Sequence, residues 1–204
     1  MPKISEQARV ERRQRIIDGA WRCAGTQGFT KLTVDDICAE TGLSKGAFYG
    51  YFSSKDDLLA TMVEEDAYQL DRTMVEIEMR NARAIDRLVA FARAMVKRGE
   101  DPATVQVTSD MWVMLREDPS VSERFAELVA GRRQRLRAWV DEAIAAGNIA
   151  DVPANALAAT LVALGDGLML HKSLDPASFR WTNIAKVLDA LLDGLRSEVK
   201  RESR

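Results

Sequence analysis

Histidine and cysteine are nearly absent from this 204-residue chain, which holds one histidine, His171, and two cysteines, Cys23 and Cys38. So few ligands at such separations exclude a zinc centre and a disulfide framework. No metal or cofactor is expected, and both thiols are expected to be small buried apolar residues. Net charge is missing too: 29 Lys plus Arg stand against 31 Asp plus Glu, a formal charge of -2. No global positive field draws such a chain to nucleic acid or to an anionic membrane, so any polyanion contact has to come from a local patch. Long apolar runs are absent as well, since no stretch approaches about 18 consecutive apolar residues. The first residues interleave Arg9, Arg12, Arg13 and Arg15 with Glu6 and Glu11, without the apolar core of a signal peptide. A cytoplasmic location with no membrane partner is the expectation. What is present, 47% hydrophobic and 29% charged residues, suits one globular domain or a small one joined to a medium one.

Proline is sparse and informative. Pro102, Pro119, Pro153 and Pro176 each interrupt a helical run and read as first residues of helices, with Asp101, Asp118 and Asp175 before three of them as N-caps. Between them the apolar spacing is helical: Ile85, Leu88, Val89, Ala92, Met95 and Val96 in one run, and Leu136, Trp139, Val140 and Ile144 in another. Gly147-Asn148 ends the latter, and Arg132, Arg133, Arg135 and Arg137 are expected to solvate its outer face. No segment keeps a period of two, so the expected fold is all-α, with about nine helices and no sheet.

The first quarter differs in charge. Residues 1–55 hold nine basic side chains against six acidic ones, leaving twenty against twenty-five for the remainder. Within this basic quarter, Ile16, Ile17, Ala20, Trp21 and Ala24 share one face of a first helix that stops between Gly25 and Gly28. Thr33 then caps a short helix with Asp36 in the reciprocal position, and Thr41-Gly42-Leu43-Ser44 supplies a glycine for a left-handed turn and a serine to cap the next helix. Helix, short glycine turn and helix together make a helix-turn-helix reading, with the small Ala39 where the second helix crosses.

The third helix, 45–52, resolves at about 100° per residue. With Phe48 at zero, Phe52 falls beside it and Gly46 and Gly50 lie opposite, at about 160° and 200°, flanked by Lys45 and Tyr49 on one side and Ala47 and Tyr51 on the other. A helix entering the major groove needs small residues where its backbone approaches and donors at its edges. Ser54 then caps a long fourth helix whose Lys55 can reach a phosphate.

The run Thr33-Val34-Asp35-Asp36-Ile37, followed by Gly42-Leu43-Ser44-Lys45-Gly46-Ala47-Phe48-Tyr49-Gly50-Tyr51-Phe52-Ser53-Ser54-Lys55-Asp56-Asp57-Leu58, resembles the tetracycline-repressor (TetR) family of bacterial transcriptional regulators. The motif covers about residues 9–60, and Gly165-Asp166-Gly167-Leu168 is similar to a segment in many members' penultimate helix. The resemblance implies phosphate contacts from Thr33, Tyr51 and Lys55 and groove contacts from Ser44, Lys45, Ala47 and Tyr49, with Gly46 on the approaching face. Gly50 departs from members with a large side chain there. It further implies a DNA-binding unit over 1–53 and a ligand-binding and dimerisation unit over 54–204. The partners are then double-stranded palindromic operator DNA, a small-molecule effector and a second copy of the chain, and the function is repression released by the effector.

Residues 60–180 are rich in Met and Trp, which suits a pocket for an apolar or amphipathic ligand, although each of these side chains also fits an ordinary core. The candidate lining is Met95, Met111, Trp112, Trp139 and Met169, with Asp166 or His171 as the polar contact. The apolar helix over 154–170 and the stripe Ile184, Leu188, Leu191 and Leu195, together with Leu161 and Leu168, are expected to pair two copies in a four-helix interface. Two rivals stand beside this reading. One is a helix-turn-helix regulator, repressor or activator, that answers to no small molecule; the other is an enzyme using His171, disfavoured because that histidine has no catalytic partner in the sequence.

Overall fold

Caps and glycines set where the helices begin and end. The computed structural model describes residues 5–117 and 119–196. Among the described residues nine α-helices run in chain order: α1 (Glu6–Gln27), α2 (Val34–Thr41), α3 (Lys45–Tyr49), α4 (Lys55–Arg80), α5 (Ala84–Gly99), α6 (Pro102–Glu117), α7 (Pro119–Ala145), α8 (Ala154–Leu174) and α9 (Trp181–Gly194). Among the described residues there is no strand, only an isolated bridge between Ile149 and Arg196. Ser5, Thr33, Ser44 and Ser54 each accept a hydrogen bond from a backbone N–H one turn on, starting α1 to α4, and positive φ at Gly28, Gly42 and Gly147 stops α1, α2 and α7.

The proline expectations divide. Pro102 and Pro119 open α6 and α7, and Asp101 caps α6 by accepting the Thr104 N–H at 3.0 Å; Asp118 lies outside the described residues. Pro153 is instead the N-cap of α8. Asp175 and Pro176 start no helix: Asp175 ends α8 and accepts the Ser178 N–H at 3.2 Å in a turn, and α9 begins later, at Trp181. That turn is pinned by Lys172, which donates to the carbonyls of Pro176 and Phe179. Cys23 and Cys38 are only half-buried, and burial pushes both thiols up, away from the reactive thiolate.

Three apolar clusters hold the helices. The first joins Ile16, Ile17, Phe29, Ile37, Phe48 and Phe52 of the N-terminal helices and their loops to Met62 and Val63 of α4 and to Val107 and Met111 of α6. The second fills the space among α4, α5, α7 and α8, and the third packs α9 onto α5, α6 and α8. The close crossing of α1 and α2 falls at Gly19, where a Cβ would overlap the Thr41 methyl group. Ala39, expected where the second helix of the helix-turn-helix crosses α2, is exposed. Among the described helices, α8 alone is long and apolar enough by length and composition to cross a membrane, with a mean hydropathy of 1.2 over 18 residues. Its apolarity has a bundle explanation: one side packs on α6 and α7, and the other carries the uncovered Ala163 and Leu174.

Candidate nucleic-acid interface and bundle cavity

The geometry around α3 is built from neighbours in sequence. Thr33 accepts the Asp36 N–H at 3.2 Å while Asp36 accepts the Thr33 N–H at 2.9 Å, and these Thr33 bonds hold the Asp36 carboxyl below its ordinary value. Gly42, at φ 67°, turns the chain, and the Ser44 hydroxyl accepts the Ala47 N–H at 3.1 Å to start α3. The helix is shorter than the 45–52 expected, because at Gly50 the hydrogen bonding tightens onto Gly46 and Ala47. Phe48 and Phe52 nevertheless anchor in the first cluster, as their spacing requires.

The opposite face of α3 is open. Ser44, Lys45, Gly46 and Tyr49 are exposed, Tyr49 by 56%, while Ala47 and Tyr51 are half-buried. Lys45 pairs with Asp35 at 2.9 Å in an exposed bridge, and contacts of that kind are weak and easily exchanged. A Cβ on Gly46 would meet nothing nearer than the Ser44 hydroxyl at 3.9 Å, so no contact within the chain demands glycine there. Lys55 departs from its expected role. Its ammonium donates to the carbonyls of Phe29, Thr30 and Leu32 at 3.2, 3.1 and 3.0 Å and lies over the Phe29 ring, clamping the α1–α2 loop instead of standing free for a phosphate. The same loop is gripped from α6, where Asp110 accepts the N–H groups of Phe29 and Thr30 and the Thr30 hydroxyl.

The second site is a partly enclosed cavity of about 40 Å³ among α4, α5, α6, α7 and α8. Met95, Met111, Met169 and Asp166 line it as expected. Trp112, Trp139 and His171 do not. Trp112 is 36% exposed and stands edge-on to Phe125; Trp139 is core, its indole N–H donating to Glu78 at 2.9 Å; His171 faces outward. The cavity also holds four charges, of which only Asp166 was anticipated. Arg98 binds Asp66 at 2.6 Å. Arg132, expected on the solvated face of α7, is only 7% exposed, and its Nε–H has no hydrogen-bond partner. Helix phase was the available signal: Arg132 precedes Leu136 by four residues and Trp139 by seven, on the apolar face. Burial pushes the Asp166 carboxyl up, with Arg132 opposing that shift, and burial lowers the Arg132 guanidinium.

The expected interface residues separate into two sets. Leu188 is 9% exposed and packs in the third cluster, and Leu161, Leu168, Ile184 and Leu195 are half-buried against the chain's own core. Leu191 and its neighbour Val187 are 57% and 56% exposed.

Residues 16–62 match the family described as bacterial regulatory proteins, tetR family, and residues 84–197 match the C-terminal part of BetI-type transcriptional repressors. The chain belongs to the TetR family. It is 31% identical over 203 residues to HTH-type transcriptional repressor Rv1474c of Mycobacterium tuberculosis, covering 96% of this chain and 99% of that one. It is 26% identical over 205 residues to HTH-type transcriptional regulator PksA of Bacillus subtilis, covering 100% of this chain and 98% of that one. The fold recurs in a TetR regulator from Haloarcula marismortui, with TM-score 0.81 at 21% identity over 92% of this chain and 100% of that one. It recurs also in a Saccharomonospora viridis regulator in complex with choline, with TM-score 0.75 at 23% identity over 90% and 96%. This TetR-family chain is thus a helix-turn-helix transcriptional regulator, and the family is not a class of enzymes.

Proposed function

We propose that the chain is a cytoplasmic repressor that holds a palindromic operator as a homodimer and releases it when a small molecule enters the bundle cavity. The observation that carries the reading is α3: a helix anchored by Phe48 and Phe52 that turns Ser44, Lys45, Gly46 and Tyr49 outward. In this reading Ser44, Lys45, Ala47 and Tyr49 meet the groove, and Thr33 and Tyr51 meet phosphates. Lys55 acts indirectly, by fixing the loop that leads into Thr33.

The dimer uses the uncovered faces of α8 and α9. Val187 and Leu191 on α9, with Ala163 and Leu174 on α8, are exposed apolar positions that a two-fold copy would bury. The division at about residue 53 is functional rather than a gap in packing, because Val107 and Met111 belong to the N-terminal cluster and also line the cavity. A ligand that displaces these two residues moves α6, and Asp110 on α6 holds the loop that enters the helix-turn-helix. That gives one element which both sites bias, as coupling requires.

Selection of bound duplexes from random DNA tests the reading. Enrichment of an inverted repeat with half-sites about 34–36 Å apart or a multiple of that is expected. Asp110→Ala is expected to bind ligand yet release operator poorly. Enrichment of no sequence would sink the repressor assignment.

A further inference from the structure

The cavity holds a buried cationic donor whose hydrogen bond is unmet. Arg98 and Asp66 satisfy each other at 2.6 Å, but the guanidinium of Arg132, 7% exposed, feels Asp166 and Asp71 without a salt bridge to any carboxylate among the described residues and leaves its Nε–H without an acceptor. Resting on the reading of this cavity as the effector site, we propose that it takes a small organic carboxylate with a short apolar body. The carboxylate lies on the Nε edge of Arg132, and the body lies against Met95, Met111 and Met169.

Three features select this class. A guanidinium edge matches a carboxylate in two parallel hydrogen bonds, and removing both ions from water makes those bonds strong. A dianionic phosphate would bring its second charge against Asp66 and Asp166, whereas a monoanion can accept a proton-mediated hydrogen bond from Asp166, whose carboxyl is pushed up by burial. A cation would find Asp66 already bridged to Arg98 and Asp166 held toward its neutral form by burial, and Phe125 is the one aromatic ring among the described lining residues, too few for a cage around a quaternary ammonium. The free volume of about 40 Å³ is room for little more than water, so the ligand has to part the methionines, which repack readily. Met111 lies on α6, so this parting acts on the helix that grips the α1–α2 loop.

The binding carries a sign with pH. The charged groups facing the site are Asp66 from α4, Arg98 from α5, Arg132 from α7 and Asp166 from α8, with Asp71 also close enough to act on Arg132; α6 contributes the neutral Thr108. An anion beside Arg132 favours the protonated form of Asp166, so binding takes up a proton and tightens as pH falls, by at most about tenfold per pH unit.

The test is calorimetric titration of the full chain, free of DNA, with propionate, butyrate and hexanoate, and with hexanamide and hexylamine, from pH 8 to pH 6. Binding of the acids is expected, with hexanoate at least about tenfold tighter than hexanamide and no binding of the amine. Arg132→Met is expected to lose that advantage and to melt at or above the wild type, since it removes a buried donor with no acceptor. Asp166→Asn is expected to bind the acids with a flat pH profile. Failure of every acid to bind, equal binding of acid and amide, tighter binding of the amine, or a large fall in the melting temperature of Arg132→Met would each overturn the proposal. Operator release is read separately. Acid binding that releases no operator upholds the ligand class and overturns the released-repressor reading, while release by a ligand indifferent to Arg132 does the reverse.

Discussion

The helix-turn-helix and the bundle cavity are built on opposite plans. Between Thr33 and Phe52 the polar groups that place each helix find partners a few residues away: Thr33 with Asp36, Ser44 with Ala47, and Leu43 with Cys38. The cavity takes its walls from five helices, with lining residues from Val63 to Met169, and leaves a guanidinium donor buried without an acceptor. The difference follows from what each part meets. A surface that reads a stiff duplex gains by being finished beforehand, whereas the cavity, in its proposed role as an effector site, has to change state on binding and gains by being incomplete without a ligand.

The largest expected effect lies on the outer face of the bundle, the other incomplete surface. Val187→Glu with Leu191→Glu places two charges on a face that is open in the single chain and closed in the proposed dimer. A folded monomer by sedimentation is expected, with operator affinity lower by about 10²–10⁴, the advantage that linking two half-site contacts confers. Leu188→Glu, three residues from Leu191, should instead unfold the chain, because Leu188 packs against Met169 and Trp181. A dimeric double variant would move the interface elsewhere.

Phe48→Ala asks whether the finished part is also an independent one. Truncating so buried a ring costs about 3–5 kcal/mol. A single displaced transition in urea is expected, since Val107 and Met111 of α6 sit in the same cluster. Two separated transitions would show that the N-terminal helices fold apart from the bundle.

Lys55→Met distinguishes a clamp from a DNA contact. Loss of hydrogen bonds from a charged donor to the loop carbonyls should cost about 1.5–3 kcal/mol of stability. Operator affinity should fall, yet the slope of log K against log salt should stay that of the wild type. A slope smaller by about 0.9 would restore a phosphate contact to this residue.

The same contrast governs what could be read without coordinates. Thr33, Ser44 and Ser54 as caps, Gly42 as a left-handed turn, and Phe48 with Phe52 as the anchored side of α3 were all legible, because each rests on spacing within one or two turns. Helix periodicity says which residues share a stripe. It does not say whether the chain's own core or a second copy covers it, so Leu188 and Leu191 looked alike. Nor does it say which charged residue on a stripe is drawn inside, so Arg132 reads like Arg133 and Arg137 although its phase matches Leu136 and Trp139. Size and polarity alone point Trp112, Trp139 and His171 to the cavity, and only packing shows that Trp139 belongs to the core while Trp112 and His171 face outward. Lys55 and Asp110 escaped because their partners are the backbone of a loop about 25 and 80 residues away.

The smallest expected effect decides the most about α3. Glycine in a helix is less favourable than alanine by about 0.5–1 kcal/mol, and a packed helix keeps one only for a reason. Within the chain Gly46 has none, since an added Cβ would meet nothing nearer than 3.9 Å and the residue is exposed. If the reason lies in DNA, Gly46→Ala should have two opposite consequences, a chain more stable by up to about 1 kcal/mol and an operator bound more weakly because the methyl group holds the backbone away from the groove. Paired urea titrations and operator titrations at one salt concentration read both. A gain in stability with operator affinity unchanged would show that the glycine face does not approach the bases, and would move the groove contact toward the Lys45 and Tyr49 edge of the same helix.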